Sequence, residues 1–143
     1  MSERSSDRYF AKAGARPEGE GSFFKWDEQE PIEVVPGLTF QPVLGDQLMA
    51  NFVHFEPNTV APLHWHVEEQ ISLVLEGEFE FEVGSEKKTV RRGEAVLIPP
   101  NVPHAARTYD GACLEMDIFN PPRRGLLELM GLVSGQNDEV QRD

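Results

Sequence analysis

Glu78-Phe79-Glu80-Phe81-Glu82-Val83 alternates without a break between an acid and an apolar residue. A β-strand turns every second side chain to the same face, so the phenylalanines go to a core and the glutamates to solvent. The chain from Ile32 onward repeats the theme in short runs separated by turn formers. Ile32 to Val35 and Leu38 to Val43 flank Pro36-Gly37, a turn signal. Leu48 to Phe55 comes next and Glu56-Pro57-Asn58 closes it. Gln70 to Leu75 reads as a strand with Gly77 in the turn behind it. Gly84-Ser85 leads into a polar segment, Glu86 to Arg92, and Gly93-Glu94 into the apolar strand Ala95 to Ile98. Ala105 to Tyr109 turns at Asp110-Gly111, a hairpin signal, into a last strand from Ala112 to Phe119. Short strands at regular spacing predict an all-β barrel or sandwich.

The two ends read differently. Residues 1–30 form an N-terminal arm, polar up to Gly21, with a short helical turn around Asp7 to Ala13. Phe23, Phe24 and Trp26 are placed to dock that arm on the barrel or on a partner chain. Residues 31–122 form the barrel domain, and residues 123–143 a C-terminal helix and tail. The helix is expected over Leu126 to Val133, where Leu126, Leu127, Met130 and Val133 share a stripe. The stretch from Gly135 to Asp143 is polar and expected to fray. A chain of 143 residues suits one domain.

Twenty-five acidic against thirteen basic residues give a net charge of −12. That balance repels a phosphate backbone, and no basic stripe offsets it, so nucleic acid is a poor partner. No apolar run approaches membrane-spanning length, and Met1 to Arg8 lacks the apolar core of a signal peptide. The expectation is a cytoplasmic protein with no membrane partner. Cys113 is the single cysteine, which forbids an intrachain disulfide and suits small core filler.

Three of the four histidines fall in one pattern. On a strand, His64 and His66 share a face with Cα atoms about 6.8 Å apart, close enough for both rings to reach one ion. Pro62 before them and Trp65 between them disfavour a helix, so both histidines are placed on a strand, facing inward. Gln70 has the same parity. His104 follows Ile98-Pro99-Pro100-Asn101-Val102-Pro103, a turn-rich run that can aim it sideways into a cavity. His64, His66, Gln70 and His104 together offer neutral nitrogen and oxygen donors. That set suits one divalent transition metal ion, Zn, Ni, Fe, Mn or Cu, with positions left for water or substrate. Glu69 is the weaker candidate for the fourth ligand, needing a bulge at Val67 to Glu69 to turn it inward. His54 shares parity with Phe52 and Ala50 and reads as a satisfied histidine rather than a cavity contact.

Alternation in the last strand puts Cys113, Glu115, Asp117 and Phe119 on one face and Leu114, Met116 and Ile118 on the other. If the first face lines the cavity, Asp117 is a candidate general acid or base. Glu115 beside it would split the pKa values of the two carboxylates. The competing reading has Asp117 capping a turn or pairing with Arg123. Arg123 itself follows Pro121-Pro122 and could grip a substrate carboxylate through two parallel hydrogen bonds. Its competing reading is a surface salt bridge.

The stretch from Ala61 to Gly77 resembles the first motif of the cupin superfamily, in which His-x-His is followed by a carboxylate and then a glycine. Gly93 to Thr108 resembles the second, with glycine, proline and histidine at matching intervals. The resemblance covers roughly Leu38 to Phe119. It implies an all-β double-stranded β-helix, or jelly-roll barrel, with a metal inside. Gln70 stands where the family more often has Glu, and Asn101 where the second motif usually has Gly. A neutral amide in place of an anion leaves more positive charge at the metal, which favours Lewis-acid work and an anionic substrate. His-x-His-x-x-Glu-Gln-Ile, then Val-Leu-Glu-Gly-Glu-Phe-Glu-Phe, then Asp117-Ile118-Phe119 with Pro121 and Arg123, resembles the small cupins of pectin and alginate breakdown. Those proteins linearise 4,5-unsaturated uronate monosaccharides to open-chain keto sugars. This narrower resemblance implies catalytic roles for Asp117, Phe119 and Arg123. That group usually has acidic residues directly after the arginine, where this chain has Arg124 and Gly125.

The expected protein is therefore a metal-dependent enzyme of the sugar-acid isomerase or ring-opening type, acting on a small anionic, oxygen-rich substrate. The aromatic arm and the apolar outer face of the last strand point to a homodimer. The alternatives are an iron- or copper-dependent dioxygenase, which would consume oxygen, and a non-catalytic small-molecule-binding cupin, which would return its ligand unchanged.

Overall fold

In a computed structural model of the chain, residues 8–135 are described. They form a 3-10 turn at Trp26–Glu28 and nine strands: β1 (Ile32–Val35), β2 (Leu38–Leu44), β3 (Met49–Phe55), β4 (Val60–His64), β5 (Glu69–Val83), β6 (Glu86–Arg91), β7 (Ala95–Ile98), β8 (His104–Arg107) and β9 (Cys113–Asn120). A short helix, α1 (Arg124–Leu129), comes last.

The 15-residue β5 is the spine of the molecule. Its first half pairs with β9 on one side and β7 on the other, and its second half with β8 and β6, all antiparallel. Two sheets, β1-β2-β3-β9-β5-β7 and β6-β5-β8-β4, thus share one strand and close into the expected jelly-roll barrel.

Gly77 is not in a turn, as its position suggested; the strand runs straight through it. The register with β9 slips between Val74 and Glu76, and Gly77 sits at φ +79. That bulge bends β5 from one sheet into the other and inserts one extra residue. Buried positions therefore change parity along the strand, from Gln70, Ser72 and Val74 to Phe79 and Phe81. A side chain at position 77 would collide with the carbonyl oxygen of Ala112, so close approach as well as the left-handed backbone calls for glycine here.

Leu38, Val53, Phe55, Phe79, Phe81 and Ala106 fill one end of the barrel, with Phe55 and Phe79 edge to face at 5.5 Å. At the other end Leu126 of α1 packs with Met49 and Phe119. The helix starts two residues before, and stops four residues short of, the stretch expected from its apolar stripe. Gly131, at φ +76, turns the chain away before Val133.

Of the three arm aromatics only Trp26 docks, stacked on Phe52 at 4.3 Å, while Phe23 and Phe24 stay exposed. Gln41 fixes this end of the arm: its Nε2 donates to the carbonyls of Asp27 and Gln29, and its Oε1 meets His54 Nε2 at 2.9 Å. His54 is accordingly a satisfied histidine beneath Trp26. Arg8 and Tyr9 are helical, whereas Asp7 of the expected helical turn lies outside the described residues, as does the tail beyond Gly135.

Candidate metal centre

Strand β4 ends at His64, so His66 lies just past the strand and not on it. The two rings converge nonetheless, because inward and outward positions keep alternating through the bend: His66, Glu68 and Gln70 are buried, and Trp65, Val67 and Glu69 are exposed. Pairing of β4 with β8 slips between Ala61 and His64, which sets His64 directly opposite His104. Ring centroids are 4.3 Å apart for His64 and His104, 4.9 Å for His66 and His104, and 5.7 Å for His64 and His66. One ligand nitrogen from each lies within 4.8 Å of the others.

The hydrogen bonds decide which nitrogens these are. Nδ1 of His64 lies 2.7 Å from the carbonyl oxygen of Pro62, that of His66 3.0 Å from Glu68, and that of His104 2.8 Å from Val102. A carbonyl only accepts, so each Nδ1 carries the proton and each Nε2 presents a lone pair. His104 Nε2 is buried without a hydrogen-bond partner among the described residues. His66 Nε2 faces another acceptor, Gln70 Oε1, at 3.0 Å. Two acceptors in contact and an orphaned buried nitrogen are unfavourable in a closed apolar barrel, and a cation between them removes both defects. The residues present thus fit a divalent metal ion held by the three Nε2 atoms. Burial, chiefly, holds two of the rings neutral: His66 is lowered to about 4, with help from the charge of Arg123, and His104 to about 3, with help from His64.

Gln70 is oriented by the wall behind it. Its Nε2 donates to Ser72 Oγ at 2.9 Å, and Ser72 Oγ donates to Asp117 Oδ1 at 2.7 Å. Asp117 and Glu115 are both buried. Burial raises both carboxyls; the charge of Asp117 drives Glu115 well above the usual range, whereas hydrogen bonds from its neighbours pull Asp117 back down. Glu115 is therefore the more strongly raised of the pair. A group whose folded pKa exceeds its unfolded value, here 4.5, stabilises the fold fully below that value and loses its contribution as pH rises through the folded one. Glu115→Gln should accordingly raise the thermal midpoint of the metal-free protein near neutral pH and flatten its pH profile above about pH 5. Thermal unfolding from about pH 5 to about pH 8 reads this directly; a lower midpoint at neutral pH would contradict it.

Arg123 precedes α1 and lines the same cavity, of about 600 Å³, as the three histidines, Asp117 and Phe119. Gly125 leaves room for it, since a Cβ there would come within 2.7 Å of a guanidinium nitrogen. Phe119 walls the histidines, edge to face with His66 at 5.7 Å. Glu69 is turned outward, paired with Asn120 across the sheet, because the parity is never broken by the bulge it would have needed. Its neighbour Glu68 takes the inward position instead. Glu68 Oε2 accepts from the backbone N–H of Arg124 at 2.8 Å, and Oε1 lies 3.5 Å from His66 Nδ1, so this carboxylate ties the metal pocket to the segment carrying Arg123. Glu68, Ser72 and Asn51, all buried, escaped the sequence reading. Their signal was available: Glu68 and Ser72 share the parity of Gln70, and Asn51 is a polar residue in a run that is otherwise core.

Comparison with known proteins follows the same lines. The Cupin domain family matches residues 51–118. The dimethylsulfoniopropionate lyase DddQ of Ruegeria pomeroyi is 31% identical over 69% of this chain and 48% of its own length, so the chain spans about half of that relative. The pectin degradation protein KdgF of Dickeya dadantii is 30% identical over 57% of this chain and 76% of its own. The solved structure of KdgF from a Halomonas species superposes with a TM-score of 0.69 at 34% identity, over 74% of this chain and all of the other.

Proposed function

The chain belongs to the cupin superfamily, and from that membership together with the contents of its barrel we propose that it is a metal-dependent enzyme that opens and isomerises 4,5-unsaturated uronate monosaccharides. The single observation that carries this reading is the placement of Arg123 and the Asp117–Glu115 pair in the cavity that holds the three histidines. KdgF, similar over three quarters of its own length, acts in pectin degradation.

His64, His66 and His104 would hold the ion through Nε2, with Gln70 Oε1 as fourth ligand. Once bound, the metal supplies a Lewis acid for a substrate oxygen on which negative charge develops. The chain's own residues do the rest. Arg123 holds the substrate carboxylate through paired hydrogen bonds and so fixes the ring. Asp117 takes the proton of the anomeric hydroxyl as the bond from C1 to the ring oxygen breaks, leaving an aldehyde at C1 and an enolate at C5. That proton, returned at C4, converts the enolate to a ketone, so the reaction is an isomerisation with no net gain or loss of atoms. Ser72 keeps Asp117 aligned, and Phe119 excludes water from one side.

A discriminating assay offers the purified chain 4,5-unsaturated galacturonate, with metal removed and then restored, and dimethylsulfoniopropionate in parallel. The expected result is metal-dependent loss of the ultraviolet absorbance of the conjugated C4–C5 double bond without oxygen uptake. Oxygen consumption would favour a dioxygenase. Cleavage of the sulfonium compound alone would favour the lyase chemistry named for DddQ, and a ligand recovered unchanged would favour a binding protein.

A further inference from the structure

On the inner wall of the barrel three rows of side chains run across β5, β9 and β3. Register places Gln70, Phe119 and Met49 in the row beside the histidines, then Ser72, Asp117 and Asn51, then Val74, Glu115 and Val53. Asn51 is only 1% exposed and Glu115 4%. Both line the cavity, yet Asn51 Oδ1 and Glu115 Oε1 have no hydrogen-bond partner among the described residues. An unpartnered acceptor buried among apolar strands destabilises a fold, and β3 could carry Val or Leu at position 51 as it carries Met49, Val53 and Phe55 nearby. Polar groups that fit the substrate better than the fold mark a binding wall.

We propose that Asn51 and Glu115 form a hydroxyl-reading subsite next to Asp117, and that the substrate is a hydroxylated carboxylic acid. Its carboxylate sits at Arg123 and its hydroxyls donate to Asn51 Oδ1 and Glu115 Oε1. The inference rests on the uronate reading for the position of the carboxylate and goes beyond it in assigning what recognises the rest of the molecule. It also separates substrate classes. A sulfonium carboxylate has no O–H or N–H to offer these acceptors and would leave both unpaired, whereas a sugar acid satisfies them.

Calorimetry on the metal-loaded protein tests this with two unreactive probes, galacturonate and tetrahydropyran-2-carboxylate, the second keeping ring and carboxylate but no hydroxyl. Wild-type protein is expected to bind galacturonate at least about tenfold tighter. Asn51→Leu and Asn51→Ala should each weaken galacturonate by about tenfold or more and leave tetrahydropyran-2-carboxylate unchanged. In the ligand-free protein Asn51→Leu should hold or raise the melting temperature, because it removes an unpaired polar atom. Equal loss of both probes, an unchanged preference, no galacturonate binding to wild type, or failure of both variants to fold would overturn the subsite. Turnover is read separately. Intact ring opening with no effect of position 51 removes only the subsite, and Asn51-dependent binding without turnover removes only the ring-opening reading.

Discussion

His104→Ala should leave a folded barrel that no longer retains metal through purification or turns over substrate. The ring is buried, its Nδ1 is committed to the carbonyl of Val102, and its Nε2 has no partner among the described residues. Nothing in the fold depends on that nitrogen, so truncating it removes a ligand and an orphaned polar atom together. Loss of a mere outer-shell partner weakens metal binding by roughly 10–100-fold, and loss of a ligand from a site with three histidines does more. Without the ion the several kcal/mol of charge stabilisation it supplies are gone, which at 1.36 kcal/mol per decade is a rate loss on the order of 10³-fold. Metal content by elemental analysis and the thermal midpoint of the metal-free variant measure the two halves. A variant that still carries near-stoichiometric metal, or one whose metal-free form is grossly unfolded, would show that His104 is structural.

Most of the positions legible ahead of the structure were those governed by strand parity, with His104, aimed by the turn-rich run before it, the exception. His64 and His66, Gln70, and the inner row of β9 all lie where two-residue periodicity puts them, because inward and outward positions keep alternating even through the bend after β4. Parity failed where the backbone departs from a plain strand. Gly77 looks like a turn glycine in a string of letters, since nothing local distinguishes a turn from a bulge that carries one strand between two sheets. The choice of Gly rested on the approach of Ala112, thirty-five residues away in sequence. Glu69, the weaker alternative to Gln70 as fourth ligand, needed a bulge at Val67 to Glu69, and the unbroken alternation from His66 to Gln70 turns it outward. The amide at position 70, by contrast, acquires a reason only from the three-dimensional network. A carboxylate there could face a cation but could not donate to Ser72, whereas glutamine turns its oxygen to His66 and its N–H to Ser72 at once. Partnerless atoms such as Asn51 Oδ1 are invisible in sequence altogether, because they are defined by what the neighbouring strands fail to supply.

Asp117→Asn separates proton transfer from metal binding. Asn is isosteric, and its side-chain oxygen can still accept from Ser72, so Gln70 should keep its orientation and the metal its ligands. What disappears is a base. Burial and a negative neighbour raise the Glu115 carboxyl well above its usual range, while hydrogen bonds counter the rise at Asp117, so on the proposed mechanism Asp117 is the base of the pair. Asn cannot accept a proton at any accessible pH, and Glu115, one row deeper beside Val53, would meet a hydroxyl other than the anomeric one. General-base catalysis contributes typically 10²–10⁴-fold, so kcat should fall within about that range while KM, set by Arg123 and the metal, changes little. Metal content equal to wild type is the necessary control. The alternative in which Asp117 merely braces the wall makes the opposite forecast: Asn, which still accepts the Ser72 hydrogen bond, would restore nearly full kcat, and retention of activity in that variant would take Asp117 out of the chemistry.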